Sequence, residues 1–122
     1  MGILLKNDEK NVSMGYITFG IIRQQIAKSY DYKIGELYSK LYNPLFKGYS
    51  NEENKYFNEK LPKYFDTFLF HSDVDGYFSE SCVKGTYKEL MKLKPIFTND
   101  DIGKKYDDLL ELFRQGKRIY IY

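Results

Sequence analysis

The chain has 122 residues, of which 43% are hydrophobic and 30% charged, the composition of an ordinary globular domain rather than a disordered, collagen-like or disulfide-stapled chain. Nineteen basic against seventeen acidic side chains leave a formal charge of +2, too weak a field to imply nucleic acid or an anionic membrane as partner. The excess is in aromatics: 13 Tyr and 9 Phe with no Trp, a composition that favours binding surfaces, because each tyrosine offers contact area and a polar tip at low entropic cost.

Ile3-Leu4-Leu5 reads as a short buried strand followed by a polar turn. The opening residues form neither a signal peptide nor a membrane span, and a lone Cys82 offers no intramolecular disulfide, so the expected location is cytoplasmic. Ile17, Phe19, Ile22, Ile26 and Tyr30 recur at helical spacing, which predicts a helix over 14–30 with Ser13 as its N-cap. Asp31 caps a second helix in which Ile34, Leu37, Tyr38, Leu41 and Tyr42 share a face before Asn43-Pro44 ends it. Ser50 and Glu53 have the form of a capping box ahead of Tyr56 and Phe57, in a stretch that suits a short helix or a loop.

After Pro62, the run Tyr64, Phe65, Phe68, Leu69 and Phe70 must be core, whether strand or helix. Ser79 caps a helix running to about Lys94, with Val83, Tyr87, Leu90, Met91 and Leu93 inward and Pro95 as the break. Thr98 and Asp101 suggest a capping box for the last helix, whose stripe is Ile102, Tyr106, Leu109, Leu110 and Phe113, with Gly116 just past its end. Arg118-Ile119-Tyr120-Ile121-Tyr122 alternates as a half-buried strand. The expectation is a single α+β domain over 1–122, mostly helical, with a small sheet holding both terminal strands.

His71-Ser72-Asp73-Val74-Asp75-Gly76 is the densest cluster of ligand-type side chains. With Gly76 at position six of an EF-hand-like calcium loop, Asp73 and Asp75 fall at three and five, the Tyr77 carbonyl at seven and Ser79 at nine. Positions one and twelve become His71 and Cys82 instead of carboxylates, which leaves a degenerate calcium site as the only cofactor in view. The same loop can address hydroxyls or amines of a small ligand, or serve as a rigid corner built on Asx-turns. On the first helix, Tyr16, Phe19 and Arg23 share a face: Arg23 suits a phosphate or carboxylate and the rings suit stacking, or else Phe19 is core and Arg23 pairs with Asp73 or Asp75. No glycine-rich phosphate loop, nucleophile elbow or zinc-binding helix is present, and the one candidate dyad would have to join His71 to Cys82.

The HSDxDG string, preceded by Phe68-Leu69-Phe70 and followed by Ser79-Glu80-Ser81-Cys82, resembles a family of small uncharacterised bacterial and phage proteins. That family carries a Tyr-x-x-Phe-x-x-x-Arg pattern in its first helix, matched by Tyr16, Phe19 and Arg23. The family has Cys where Val74 stands, and one more residue before the cysteine that Cys82 matches. The resemblance implies this layout and these candidate residues, and its occurrence in phages suggests counter-defence by sequestering a nucleotide immune signal.

The reading is therefore a non-enzymatic binding protein for a small polar ligand, nucleotide-derived in the first instance, held by Tyr16, Phe19, Arg23, His71, Ser72, Asp73 and Asp75. The alternatives are a protein-interaction inhibitor that docks through exposed tyrosines, and the degenerate calcium protein. Neither nucleic acid nor membrane is an expected partner, while short terminal strands with an exposed edge offer a route to homo-oligomers.

Overall fold

The computed structural model describes residues 2–72 and 74–122. Strand β1 (Gly2–Lys6) turns back into β2 (Asn11–Gly15) as an antiparallel hairpin, with Leu4 opposite Ser13 and Lys6 opposite Asn11. The turn is closed by Asn7, whose backbone N–H donates to the Lys10 carbonyl and whose side-chain oxygen accepts from the amides of Glu9 and Lys10 at 2.9 and 2.8 Å. Asn7 is buried and its amide nitrogen also donates to Gln115, which ties the hairpin to the chain's other end.

Helix α1 (Tyr16–Tyr30) starts at Gly15 without a side-chain cap, so the expected Ser13 cap is corrected. Val12 and Met14 alternate inward while Ser13 faces outward, and the first two residues assigned to that helix from sequence, Met14 and Gly15, belong to the hairpin. Ile17 also departs from the expected stripe: it is 80% exposed, because Phe19, Ile22, Arg23, Ile26 and Ala27 form the inward face. Asp31 ends α1 and caps α2 (Tyr32–Ser39), accepting from the Ile34 amide and from the Tyr56 hydroxyl. A short 3-10 turn over Lys40–Tyr42 follows, which tightens the chain and leaves Leu41 and Tyr42 exposed instead of on the buried face.

Ser50 and Glu53 form the full reciprocal capping box of α3 (Asn51–Lys60). The aromatic run becomes a helix, α4 (Lys63–Phe70), which buries Phe65, Phe68 and Leu69. After the HSDxDG loop come β3 (Tyr77–Phe78) and α5 (Glu80–Leu93), capped by Ser79 as expected and ended by Lys94 in a left-handed conformation. Met91 lies on the exposed side of α5. The cap of α6 (Asp100–Arg114) is Asn99 rather than Thr98, since the Asn99 side chain accepts from the Ile102 amide at 3.1 Å. Gly116 (φ +67) turns the chain into β4 (Ile119–Ile121).

The four strands make one antiparallel sheet in the order β2-β1-β4-β3, so the first and last strands are neighbours. Ile3, Leu5, Val12, Met14, Phe78, Ile119 and Ile121 project from one face of the sheet into a core shared with the helices, while the alternating residues face outward. Each large apolar side chain fully buried there contributes roughly 1.5–3 kcal/mol. The α+β architecture with both terminal strands in one sheet is as expected. No helix among the described residues is long and apolar enough to cross a membrane.

Candidate functional site

The HSDxDG loop begins where α4 ends. Helix termini leave carbonyls without intrahelical partners, and here Arg23 supplies one: its Nη1 donates to the Phe68 carbonyl at 3.3 Å and to the His71 carbonyl at 2.9 Å. A cation at a helix C-terminus also meets the negative end of the helix dipole. Arg23 is 7% exposed, with its guanidinium 4.3 Å from the centre of the Phe19 ring, and its Nε has no hydrogen-bond partner among the described residues. The structure therefore brings Phe19 and Arg23 of α1 against the start of the loop.

His71 closes the corner from above. Its Nδ1 lies 2.8 Å from the Ser72 carbonyl, to which it donates. The imidazole packs edge-on against Phe78 at 5.0 Å and over Gly76, whose φ of +97° is a conformation that favours glycine. A Cβ at Gly76 would stand 2.8 Å from His71 Cε1. Gly76→Ala should therefore cost about 1–3 kcal/mol, read as a lower urea midpoint at unchanged slope; a change under 0.5 kcal/mol would show that the loop adapts freely.

Ser72 is exposed and its hydroxyl accepts from the Val74 amide at 3.3 Å, so it is engaged in a local turn. Asp75 is exposed at the tip of the loop. Asp73, expected among the ligand residues, lies outside the described residues. Tyr16, two turns before Arg23, is half-buried and packs against the core. Phe19 is 0% exposed, and a ring fully enclosed by core and guanidinium has no face to offer a ligand, so the stacking role expected of it is corrected. Among the described residues, Arg23 reaches carbonyls and forms no ion pair, which replaces the expected pairing with Asp75.

Two side chains that the sequence reading did not assign to the site stand beside this corner. The Tyr42 hydroxyl lies directly over Gly20, and the Tyr38 and Tyr42 rings are 6.1 Å apart. Burial pushes the Tyr38 hydroxyl upward, and the positive charge of Arg23 pulls in the opposite direction. The only sequence signal for them was their tyrosine identity at the end of α2, where both were assigned to a buried stripe.

Two residues of the candidate calcium loop and dyad have other partners in the structure. Ser79 is engaged as the cap of α5, and the Cys82 thiol donates to the Tyr64 carbonyl at 3.1 Å. Burial pushes that thiol upward, away from thiolate chemistry. No group of three His, Cys, Asp or Glu side chains that could hold a metal ion occurs among the described residues.

Two of the molecule's other cavities bear on function. One of about 210 Å³ separates α1 from the loop before α6, lined by Ile21, Gln25, Ile96, Phe97, Asn99 and Ile102. Another, of about 170 Å³, is lined by Tyr49, Phe57, Phe70 and Asp66 together with Asn54 and Asn58. Burial raises the Asp66 carboxyl above its ordinary value. A folded-state value above the unfolded one means that stability is greatest below the unfolded value and is lost as pH rises through the folded one. Asp66→Asn should thus raise the melting temperature at pH 7 while leaving it unchanged at pH 3; equal effects at both pH values would assign the gain to packing instead.

Comparison with known proteins gives no matching family model, no matching curated protein and no matching solved structure.

Proposed function

We propose that this chain is a non-enzymatic binding protein that captures a small polar ligand at the corner where α1 meets the HSDxDG loop. The observation that supports it is the delivery of the Arg23 guanidinium to that loop, where Nη1 donates to the His71 carbonyl at 2.9 Å, beside the His71 imidazole and an exposed Asp75. A guanidinium of this kind suits a phosphate, and the neighbouring acceptors suit hydroxyls or amines, a combination that fits a nucleotide-derived signal and a sequestering role.

Native mass spectrometry of the purified protein, before and after incubation with linear and cyclic nucleotides, tests the reading. A stoichiometric adduct recovered at unchanged ligand mass, and lost in Asp75→Ala and His71→Gln, is the expected result. Bare protein with every nucleotide would overturn it.

A protein-interaction module is the second reading, and a separate observation favours it. Ile21 and Ile96 are exposed at the 210 Å³ groove, which Phe97 and Ile102 also line, and the exposed Ile17 stands one turn before Ile21 on α1, an apolar patch of the sort that marks partner surfaces. Stoichiometric capture of one protein, abolished by Ile17→Asp, would decide for it.

A further inference from the structure

The outward face of the sheet is unlike the rest of the surface. Register puts Tyr77, Tyr120 and Lys6 side by side in one row across β3, β4 and β1. In the next row Tyr122 exchanges backbone hydrogen bonds with Leu4, which is paired in turn with Ser13. All three tyrosines are well exposed, at 47%, 40% and 61% in chain order. The Tyr77 and Tyr120 rings are 6.2 Å apart, and the Arg118 guanidinium lies 4.5 Å from the centre of the Tyr77 ring. At the Gly2–Gly15 end of the sheet a broad depression borders this surface, where Leu4, Ser13 and Tyr122 meet Ile3 and Met14 and Lys105 of α6.

The charge on this face is of one sign. None of the four strands contains Asp or Glu. Lys6, Lys105 and Arg118 enter no ion pair among the described residues, whereas nearby Lys10 and Lys117 are matched by Glu111 and Glu9. The acid that acts on Arg118 is Glu80, itself paired with Lys84 at 2.7 Å, and Asp75 flanks the face at its loop end. The acids near the face, Glu9, Glu80 and Glu111, are themselves paired with lysines.

From these observations we infer that the open sheet face binds single-stranded nucleic acid. Bases stack on tyrosines whatever their identity, and unpaired cations beside the rings take the phosphates. Tyr120 and Tyr122 project from the same side of β4 about 6.7 Å apart, about twice the 3.4 Å rise of stacked bases, so the face suits bases splayed along an extended strand. Duplex is excluded as the preferred form, because its bases expose no faces to stack on. The inference is independent of the ligand corner and departs from the expectation that nucleic acid is not a partner.

Fluorescence anisotropy with a fluorescein-labelled twelve-residue oligothymidylate in 50 mM NaCl tests it. Saturable binding is expected, weakened about ten-fold by Tyr77→Leu and again by Tyr120→Leu. Lys6→Ala and Arg118→Ala should each flatten the slope of log affinity against log salt by about 0.7. These side chains face solvent, so melting temperatures should stay within a few degrees of the parent, which separates lost contacts from lost folding. No saturable change at 100 μM protein, equal affinity in the tyrosine variants, or equal affinity for a twelve-base-pair duplex would each overturn the inference.

Discussion

Replacing Phe68 by alanine should lower folding stability by about 3–5 kcal/mol, a large share of the total for a domain of this size. The reason is position. Phe68 is fully buried in α4 and its ring stacks near Phe65 while meeting Phe78 of β3 at 5.7 Å and Phe113 of α6 edge-on at 5.3 Å. One side chain therefore joins a helix, the edge of the sheet and the last helix, and truncation leaves a cavity among three elements that cannot all move inward. Urea denaturation followed by circular dichroism measures the loss, with Leu45→Ala, at an exposed position, as the control expected to change little. A loss below 1.5 kcal/mol would mean that the aromatic cluster collapses around the gap.

The second large effect is expected at Arg23. Arg23→Ala removes the donor to two carbonyls at the end of α4 and uncovers the Phe19 ring. Hydrogen bonds from charged donors contribute about 1.5–3 kcal/mol each, and stranded buried acceptors add to the loss, so about 2–4 kcal/mol is expected. Loss of ligand binding in that variant would not be informative by itself. Arg23→Met separates the roles, since it keeps the apolar stem against Phe19 and removes only the guanidinium. If Arg23→Met proves as stable as the parent in thermal denaturation, the guanidinium is dispensable for folding and its place at the loop must be explained by what it binds.

Helices were readable wherever a cap or a terminator is local. Asp31, Ser50 and Ser79 each cap the helix expected of them, because the hydrogen bond spans three residues and needs no tertiary context. Thr98 failed as a cap because Asn99, a stronger acceptor one residue on, competes for the same helix start. Strand β2 was missed for a different reason. Val12 and Met14 give only two inward residues, too short an alternation to stand out beside a strong helical run, and the turn that defines the hairpin depends on the Asn7 side chain. Strand β3 has two residues and exists only through its pairing with β4, a contact of long sequence separation.

The candidate site was legible in its parts. The HSDxDG string and the Tyr16, Phe19, Arg23 set could be chosen by composition and spacing, but the choice among roles required knowing that Arg23 points at backbone carbonyls and that Phe19 is enclosed. The sheet face shows the converse. The alternation Arg118-Ile119-Tyr120-Ile121-Tyr122 already placed two tyrosines on one side of a strand, and only the register with β1 and β3 shows that Lys6 and Tyr77 lie beside them.

Because β3 is hydrogen-bonded to the sheet only through β4, the order in which contacts form is constrained. The β1–β2 hairpin can close early, since its strands are joined by a four-residue turn and short loops close fastest. The loop that ends in Gly76 gains its final tether, the Ile121 amide donating to the Gly76 carbonyl at 2.9 Å, only after a segment more than forty positions away has docked. Time-resolved refolding should accordingly show helical signal and hairpin protection before the His71 environment settles, so that the proposed binding corner matures late, in step with docking of the strand that carries Tyr120.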